Sequence, residues 1–273
     1  MKDAVVAGYR HIDTAQAYQN ELEIGKAISD LVREGTVKRN ELFIATKLSN
    51  EQFGGYLLTK QLIHDQMTAL NVSYIDLYML HSPFSENNLV LQYDSWRALE
   101  DLYFEGRIHA IGVSNFDTKA LKSLLNGARV APMVVQNKFD IYHLGKQLDA
   151  DGDDIMSFTR SIGALMVAYS PFSAYPFVLS PLEDPIVKYI SHRRTKEAEA
   201  RGFQRRGAVT PAQVILRWTL QQGVAVIPRT TSRQHMSDNL HAGKVYPSLS
   251  ADDMRLLSSV QHFVSTPLSI AVN

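Results

Sequence analysis

Short apolar runs recur along the chain at an even spacing, and a longer segment with helical periodicity follows each of them. The runs are rich in Val, Ile, Leu and Tyr and do not alternate strictly with polar residues. This pattern is typical of strands that are buried on both faces. We therefore predict seven strands, at residues 10–13, 42–46, 75–80, 108–113, 133–137, 164–170 and 224–228.

The segment at residues 20–35 shows the helical pattern most clearly. Asn20 followed by Glu23 has the spacing of a capping box, and Gly35 stands where such a helix would end. One apolar stripe at i, i+3, i+4 and i+7 is formed by Ile24, Ala27, Ile28 and Leu31. The sequence therefore predicts an amphipathic helix that packs one face against the strands.

Two further helices are indicated by the same signals. Trp96, Leu99 and Tyr103 share one face of residues 91–106, which end in a glycine. Thr210 and Pro211 open a later helix as N-cap and first-turn residue. A short helix is also predicted at about residues 2–7, before the first strand.

Strand and helix alternate with a period of roughly 30 residues, which favours parallel βαβ units in an α/β fold. An open doubly wound sheet would carry a G-x-G-x-x-G turn after an early strand, and the sequence has none. A (β/α)8 barrel is therefore the predicted class, over a single domain at residues 1–273. The count of predicted strands is seven, one fewer than the eight of a complete barrel.

Composition narrows the range of functions. Lys plus Arg and Asp plus Glu both number 28, so the net charge is zero and neither nucleic acid nor an acidic membrane is an expected partner. There is no cysteine, which removes disulfides, thiolate metal sites and a cysteine nucleophile. The opening sequence MKDAVVAGYRHID is not a secretory signal, and we expect a cytoplasmic protein.

The unit between Ser170 and Thr210 is unusually long. It includes the charged stretch HRRTKEAEARGFQRR at residues 192–206. Either a solvated helix and loop or a basic binding site fits this stretch. We favour the solvated surface, because Glu197 and Glu199 dilute the positive charge.

Chemically capable side chains stand where the first three strands end. The first strand ends in Asp13, the second in Lys47 and the third in His81, while Tyr18 follows Asp13 in the next loop. Each alone has an ordinary structural explanation. In a barrel, however, the active site lies at the C-terminal ends of the strands, so the four are expected to meet.

Together these side chains make a proton donor. Free tyrosine has a pKa of roughly 10 and is a weak acid at neutral pH. A nearby lysine ammonium stabilises the developing phenolate, and an aspartate keeps that lysine charged and oriented. A histidine can hold the substrate oxygen, so the set suits general acid catalysis at a carbonyl that gains negative charge.

Six characteristic segments occur in this order along the chain: GYRHIDTAQAYQNE, ATKL, YMLHSP, GVSNF, YSPF and IPRTTS followed by DN. In this order they resemble the aldo-keto reductase superfamily over nearly the whole chain. The resemblance implies NADPH-dependent reduction of small aldehydes or ketones. It gives Tyr18 the role of general acid, Lys47 and Asp13 the role of its partners, and His81 that of orienting the substrate.

The resemblance also implies a cofactor site. Ser114, Asn115 and Gln136 would hydrogen-bond the nicotinamide carboxamide, and Tyr169 would lie under the ring. The remaining positions would contact the pyrophosphate, the 2′-phosphate and the adenine: Ser170, Phe172, Arg229, Thr230, Thr231, Ser232, His235, Asp238 and Asn239. Barrels often bind phosphate after their last strands, which agrees with this assignment.

The sequence departs from the family pattern at several places. The family has an N-terminal hairpin, a first strand and a cofactor-contacting loop before the point where this chain begins. His235 stands where an arginine usually grips the 2′-phosphate, so NADH is the alternative cofactor. Ser82 replaces a common tryptophan, which predicts a wider or more polar pocket, and the tail ending in STPLSIAVN leaves the substrate open.

Two alternatives to an active reductase remain. One is a cofactor-binding regulatory protein with little turnover, and the other is an inactive truncated homologue. A metal enzyme is disfavoured because no H-E-x-x-H occurs, and a serine hydrolase because no G-x-S-x-G occurs. We expect a monomer or a weak homodimer.

Overall fold

The computed structural model describes residues 1–49, 55–85, 88–174, 179–202, 208–244 and 248–264. The helices in this part of the chain are α1 (Lys2–Ala7), α2 (Glu21–Arg33), α3 (Gly55–Leu70), α4 (Leu89–Phe104), α5 (Thr118–Leu125), α6 (Ile155–Ser161), α7 (Pro185–Ala200), α8 (Pro211–Gln221), α9 (Arg233–His241) and α10 (Ala251–Val264). The tail at 265–273 and residues 203–206 of the charged stretch lie outside the described residues.

All seven predicted strands are confirmed, each within a few residues of its expected bounds. They are β1 (His11–Asp13), β2 (Phe43–Leu48), β3 (Leu77–Leu80), β4 (Ile111–Ser114), β5 (Val134–Lys138), β6 (Leu165–Tyr169) and β7 (Ala225–Ile227). Strands and helices alternate as the periodicity predicts, and neighbouring strands pair in parallel. The α/β class therefore follows directly from the pattern of buried apolar runs.

The chain divides into two units, of which the first comprises Met1–Asn137 and Leu148–Met166. In this unit β1, β2, β3, β4 and β5 pair in chain order. The amide of Leu165, at the start of β6, donates to the Met133 carbonyl oxygen at 2.9 Å. The second unit comprises Lys138–Gln147 and Val167–Asn273, and in it β6 pairs with β7. The single-domain expectation stays a prediction.

Helix α2 buries the apolar stripe that its sequence predicts. Ile28 and Leu31 of the predicted stripe are buried, and Ile24 packs against the same cluster of apolar side chains. Gly35 has a left-handed backbone with φ of 70°, as a residue after a helix end often does. The stripe and the stop signal therefore both act as predicted.

The predicted capping box at the start of α2 is wrong. Asn20 occupies the N-cap position but makes no side-chain bond to the helix. Its backbone has φ of −127° and ψ of 9°, whereas a capping residue usually has extended backbone. The Asn20 Oδ1 atom instead accepts a hydrogen bond from Thr14 Oγ1 at 2.7 Å, which ties the loop after β1 to itself.

The charged stretch is only partly the solvated surface we predicted. Its first residues lie in α7, where Arg194 is 4% exposed. Arg194 pairs with Asp253, and its Nη1 atom donates to Glu197 at 2.9 Å. The stretch therefore includes a packed ion-pair cluster, because its arginines find carboxylates on α7 itself and on α10.

Candidate active site

The four predicted catalytic residues all lie in the first unit, at or just after the C-terminal ends of parallel strands. Asp13 is the last residue of β1, Lys47 lies near the end of β2, and His81 follows β3 directly. Tyr18 ends a short 3-10 turn after β1. The backbone amide of His81 donates to the Leu48 carbonyl oxygen at 3.1 Å, which joins the ends of β2 and β3.

Lys47 and Asp13 form a buried ion pair. The Lys47 Nζ atom lies 2.5 Å from Asp13 Oδ1 and donates to the Thr14 carbonyl oxygen at 2.9 Å. The Lys47 side chain is 1% exposed and the Asp13 side chain 12%. Burial lowers the pKa of the Lys47 ammonium below its ordinary value, and the Asp13 carboxylate opposes that shift. Asp13 therefore keeps a buried lysine charged.

Tyr18 lies beside this pair and is open to solvent. Its side chain is 51% exposed, and Lys47 Nζ lies 5.5 Å from the centre of its ring. The Tyr18 and His81 rings meet edge to face, with centroids 5.6 Å apart and an interplanar angle of 82°. The structure thus brings all four predicted residues together around one exposed phenol.

His81 is held in its neutral form near pH 7. Burial is the largest cause that lowers its pKa, the Lys47 charge lowers it further, and Asp13 partly opposes both. Its carbonyl oxygen accepts a hydrogen bond from Asn115 Nδ2 at 2.8 Å. A neutral imidazole can donate one N–H to a substrate oxygen without taking up a proton from solvent.

This lowered pKa predicts how stability depends on pH. As pH falls from about 7.5 to about 5, the unfolded chain protonates His81 first, so the folded state loses stability. The His81→Gln variant is expected to lose less stability over that range in urea unfolding. His11 also has a pKa lowered by burial, but it titrates in both proteins and cancels in the comparison. Parallel curves for the two proteins would contradict this prediction.

Ser114, Asn115 and Gln136 stand together at the ends of β4 and β5. Ser114 Oγ and the Asn115 backbone amide donate to the Gln136 carbonyl oxygen, at 2.8 and 3.0 Å. Asn115 has a left-handed backbone, with φ of 60°, which asparagine tolerates better than most residues. The three predicted carboxamide-binding residues are therefore brought together in the first unit.

Gln136 has a second partner that sequence reasoning missed. Its Nε2 atom donates to Asp13 Oδ2 at 2.8 Å, and the residue is 2% exposed. Asp13 thus accepts a hydrogen bond from Lys47 at Oδ1 and one from Gln136 at Oδ2. No local signal could have indicated this contact, because 123 residues separate the two positions.

Tyr169, Ser170 and Phe172 follow one another at and after the end of β6, in the second unit. Burial raises the pKa of Tyr169 above its ordinary value. Ser170 has a left-handed backbone with φ of 50°, and the Phe172 carbonyl oxygen accepts from Ser180 Oγ at 3.1 Å. Lys138, which the sequence analysis did not single out, lies with its Nζ 3.4 Å from the Ser170 carbonyl oxygen.

The predicted phosphate segment lies between β7 and α9, also in the second unit. Ser232 caps α9 by accepting the His235 amide at 3.3 Å, and the Ser232 amide donates to Thr230 Oγ1 at 3.1 Å. Arg229, Thr231 and His235 are exposed. These bonds fix the backbone of the segment while its basic side chains face solvent.

Asp238 and Asn239, the predicted adenine contacts, lie in α9. Asp238 Oδ1 accepts from Gln234 Nε2 at 3.0 Å, and Asn239 is 9% exposed. The segment from Arg229 to Asn239 is therefore continuous in the second unit. The roles of these residues toward a cofactor stay predictions.

Among the described residues, one group of three carboxylates has the spacing of metal ligands. These are Asp149, Asp151 and Asp153. The Lys122 Nζ atom lies 2.9, 2.6 and 2.8 Å from them, so an ammonium group already offsets part of the charge of this cluster. In the same part of the chain, no helix combines the length and the apolar character that a membrane crossing requires.

Known proteins place this chain in a family. The model of the aldo/keto reductase family matches residues 1–262. Glyoxal reductase of Bacillus subtilis is 35% identical over 239 residues, which cover 88% of this chain and 75% of that protein. An NADPH-dependent D-xylose reductase of Meyerozyma guilliermondii is 30% identical, over 94% of this chain and 84% of that protein.

Solved structures agree with the sequence relatives. The crystal structure of MGS-M4, an aldo-keto reductase from a Medee basin deep-sea metagenome library, aligns with a TM-score of 0.78. It is 30% identical and covers 94% of this chain and 84% of its own. The chain therefore belongs to the aldo/keto reductase family, an oxidoreductase family, and has that family's (β/α) barrel fold.

Proposed function

We propose that this protein reduces the carbonyl group of small aldehydes or ketones to alcohols with NADPH, and that Tyr18 is the general acid. The observation that carries the proposal is the arrangement around Tyr18. A buried, charged Lys47 paired with Asp13 and a neutral His81 both lie beside this one exposed phenol. The glyoxal and xylose reductases named above act on carbonyl compounds by their names, which supports the same chemistry here.

Each residue has a separate part in the reaction. When bound, NADPH supplies the hydride, and the carbonyl oxygen gains negative charge as the hydride arrives. Tyr18 donates its hydroxyl proton to that oxygen, and the Lys47 ammonium stabilises the phenolate left behind. His81 donates an N–H to the same oxygen and aligns it with the phenol. Asp13 keeps Lys47 protonated in its buried position.

The nicotinamide end of the cofactor fits the chemistry of the first unit. A carboxamide offers one carbonyl acceptor and one NH2 donor group, and Asn115 and Gln136 carry the same groups in complementary form. Gln136 uses its Nε2 on Asp13, so its Oε1 is the atom suited to accept from the ligand. Ser114 supplies a hydroxyl beside them. Tyr169 would supply an aromatic surface to the nicotinamide ring, as the family resemblance implies.

Arg229 is the residue we assign to the 2′-phosphate that distinguishes NADPH from NADH. It is exposed, and in the described ranges no carboxylate pairs with it, so a phosphate can take its donors. Thr230 and His235 would add weaker contacts. Because a histidine carries less positive charge near pH 7 than an arginine, the preference for NADPH over NADH is expected to be moderate.

The Arg229→Ala variant tests this assignment. A charge-assisted hydrogen bond is worth about 1.5–3 kcal/mol, so the Kd of NADPH should rise roughly 10- to 100-fold while the Kd of NADH changes little. Quenching of the fluorescence of Trp96 and Trp218 measures both constants. Arg33→Ala, at another exposed arginine, is the control. A ratio of the two constants near one in the parent protein, unchanged in the variant, would contradict the assignment.

The activity itself is tested by following NADPH absorbance with an activated aromatic aldehyde. Turnover by the purified chain supports the proposal. Tight NADPH binding without turnover would instead support the regulatory alternative, and broad unfolding without binding would support an inactive homologue. Ser82, half-buried next to His81, would admit wide or polar substrates. A cytoplasmic location and a monomer or weak homodimer complete the proposal.

A further inference from the structure

A cluster of four buried polar side chains lies behind the catalytic strand β2. Glu21 begins α2, Thr46 lies in β2, Gln66 in α3 and Tyr78 in β3, and they are 8%, 0%, 3% and 0% exposed. Successive side chains of a strand point to opposite faces, so Thr46 faces away from Lys47, its neighbour in β2. We call these four residues the rear cluster. None of them belongs to the catalytic or cofactor-binding residues assigned above.

Glu21 and Gln66 are the centre of the rear cluster. Glu21 Oε1 accepts from Thr46 Oγ1 at 2.6 Å and from Gln66 Nε2 at 2.8 Å. Gln66 Nε2 also lies 3.3 Å from the Lys47 carbonyl oxygen, and Tyr78 donates its hydroxyl to Gln66 Oε1 at 2.5 Å. Burial and the Glu21 carboxylate raise the pKa of Tyr78, which therefore stays a donor. The cluster thus reaches the backbone of Lys47 itself.

Hydrogen bonds to β2 and to Ser49, the residue that follows it, hold the segment that carries Tyr18 on both sides of the tyrosine. Before Tyr18, the Thr14 carbonyl oxygen accepts from Lys47 Nζ at 2.9 Å. Gln16 Oε1 accepts the Ser49 backbone amide at 3.1 Å. After Tyr18, the Glu21 carboxylate holds Thr46. The segments before and after Tyr18 are therefore hydrogen-bonded to Lys47 and to its chain neighbours Thr46 and Ser49.

A buried carboxylate at position 21 needs an explanation beyond stability. A charged group buried in the protein interior costs free energy, and an apolar residue of similar volume often serves at least as well. An acidic residue in the first turn of a helix is favourable without being buried. Directional hydrogen bonds, by contrast, fix one geometry, which apolar packing does not do as strictly.

We propose that Glu21 is a positioning residue that sets the spacing between Tyr18 and Lys47 by tying the end of the Tyr18 loop to Thr46. The inference rests on the proposed role of Tyr18 as general acid. Glu21 does not touch the substrate or the cofactor. It acts through Thr46 on β2 and through the short connection along the chain to Tyr18.

The test compares Glu21→Ala with Glu21→Gln by steady-state kinetics. Misplacing a catalytic group by about 1 Å can cost roughly 10²-fold, so Glu21→Ala should lower kcat by that order. The KM for aldehyde and the Kd of NADPH should stay within about threefold, because the residues assigned to binding are unchanged. Glu21→Gln should keep most of the parent kcat, because its amide oxygen can accept from both Thr46 and Gln66.

Thr59→Val is the matched control for lost buried hydrogen bonds. Thr59 Oγ1 bonds Ser95 Oγ at 2.9 Å between α3 and α4, away from the Tyr18 loop. This variant should lose stability without losing kcat. The positioning role is overturned if Glu21→Ala, like the control, loses stability but keeps the parent kcat. It is also overturned if the kcat of Glu21→Gln is as low as that of Glu21→Ala. Thr46→Val, which removes the bond from β2 to Glu21 and a longer contact from Gln66 Nε2 at 3.3 Å, takes the place of Glu21→Ala if that variant does not fold.

A second measurement separates this proposal from the proposed function. If the parent protein has no turnover, the reductase proposal fails. Hydrogen exchange of the backbone amides of residues 14–20 still reports whether the bond from Glu21 to Thr46 holds the Tyr18 loop. The Tyr18 amide donates to the Ala15 carbonyl oxygen at 3.0 Å. Its exchange rate should be higher in Glu21→Ala than in the parent protein and should be the same as the parent's in Thr59→Val. Unchanged exchange in Glu21→Ala would overturn the positioning role whatever the activity.

Discussion

The Tyr18→Phe variant is expected to lose about 10³-fold in kcat for aldehyde reduction, because a positioned general acid contributes roughly 10²–10⁴-fold. Phenylalanine keeps the ring that meets His81 edge to face and removes only the hydroxyl. The Kd of NADPH should stay within about twofold, since the assigned cofactor residues are untouched. Absorbance of NADPH measures turnover, and tryptophan fluorescence measures binding.

A second exposed tyrosine serves as the control for this variant. Tyr189 is 59% exposed on α7, and replacing it with phenylalanine removes a hydroxyl that the proposal gives no role. Tyr189→Phe should therefore keep the parent kcat. Turnover of Tyr18→Phe at the parent rate would exclude Tyr18 as the proton donor, whatever the rest of the site does.

The Asp13→Asn variant is expected to lose both stability and activity. Removing one partner of a buried ion pair costs about 3–5 kcal/mol, and we expect about 3 kcal/mol because asparagine keeps an oxygen near Lys47 Nζ. The buried lysine then gives up its proton more readily and stabilises the Tyr18 phenolate less well. A fall in kcat of roughly 10²-fold is expected. Urea unfolding and NADPH absorbance measure the two effects.

The stability loss should depend on pH with a definite sign. Burial already places the folded pKa of Lys47 below its ordinary value of 10.5, and loss of Asp13 lowers it further. Where the folded pKa is the lower one, stability rises with pH until the unfolded chain has also lost the proton. The stability of the variant therefore rises with pH over a wider pH range than that of the parent. The difference in unfolding free energy between the two proteins should shrink as pH rises toward 10.5.

Asp30→Asn provides the comparison. Asp30 pairs with Lys2 and Arg33 at the surface, where solvent screens the charges, so the loss of stability should be small beside that of Asp13→Asn. Equal losses in the two variants would mean that the buried pair is worth no more than a surface pair. A deficit for Asp13→Asn that grows with pH would contradict the assignment of its cause to Lys47.

The strands, and the proximity of the proposed catalytic residues, could be predicted because both depend on local sequence. Short apolar runs determine where buried strands form, and parallel strands bring their ends to one edge. Asp13, Lys47 and His81 could therefore be grouped from the order of residues along the chain. The family motifs added the proposed cofactor residues, an assignment that stays a prediction and that chemistry at single positions could not have suggested.

The contacts that sequence failed to predict are long-range or depend on competition between partners. The Gln136–Asp13 bond joins residues 123 positions apart. Arg194 is buried because Asp253, on another helix, neutralises it. Asn20 does not cap α2: its backbone is not extended, and its side-chain oxygen accepts from the Thr14 hydroxyl. Each of these outcomes depends on which group is nearest in space, and spacing along the chain does not record that.

The bond from Gln136 to Asp13 restricts how this site can change. One buried amide bonds the Asp13–Lys47 pair and, in the proposed function, also the nicotinamide. A substitution at position 136 would therefore alter cofactor affinity and proton affinity together. Thermodynamic reciprocity then applies: if ionisation of the Asp13–Lys47 pair changes the free energy of ligand binding through this amide, ligand binding changes the free energy of that ionisation by the same amount. Under the proposed function, redesign of cofactor binding would therefore begin at residues other than Gln136.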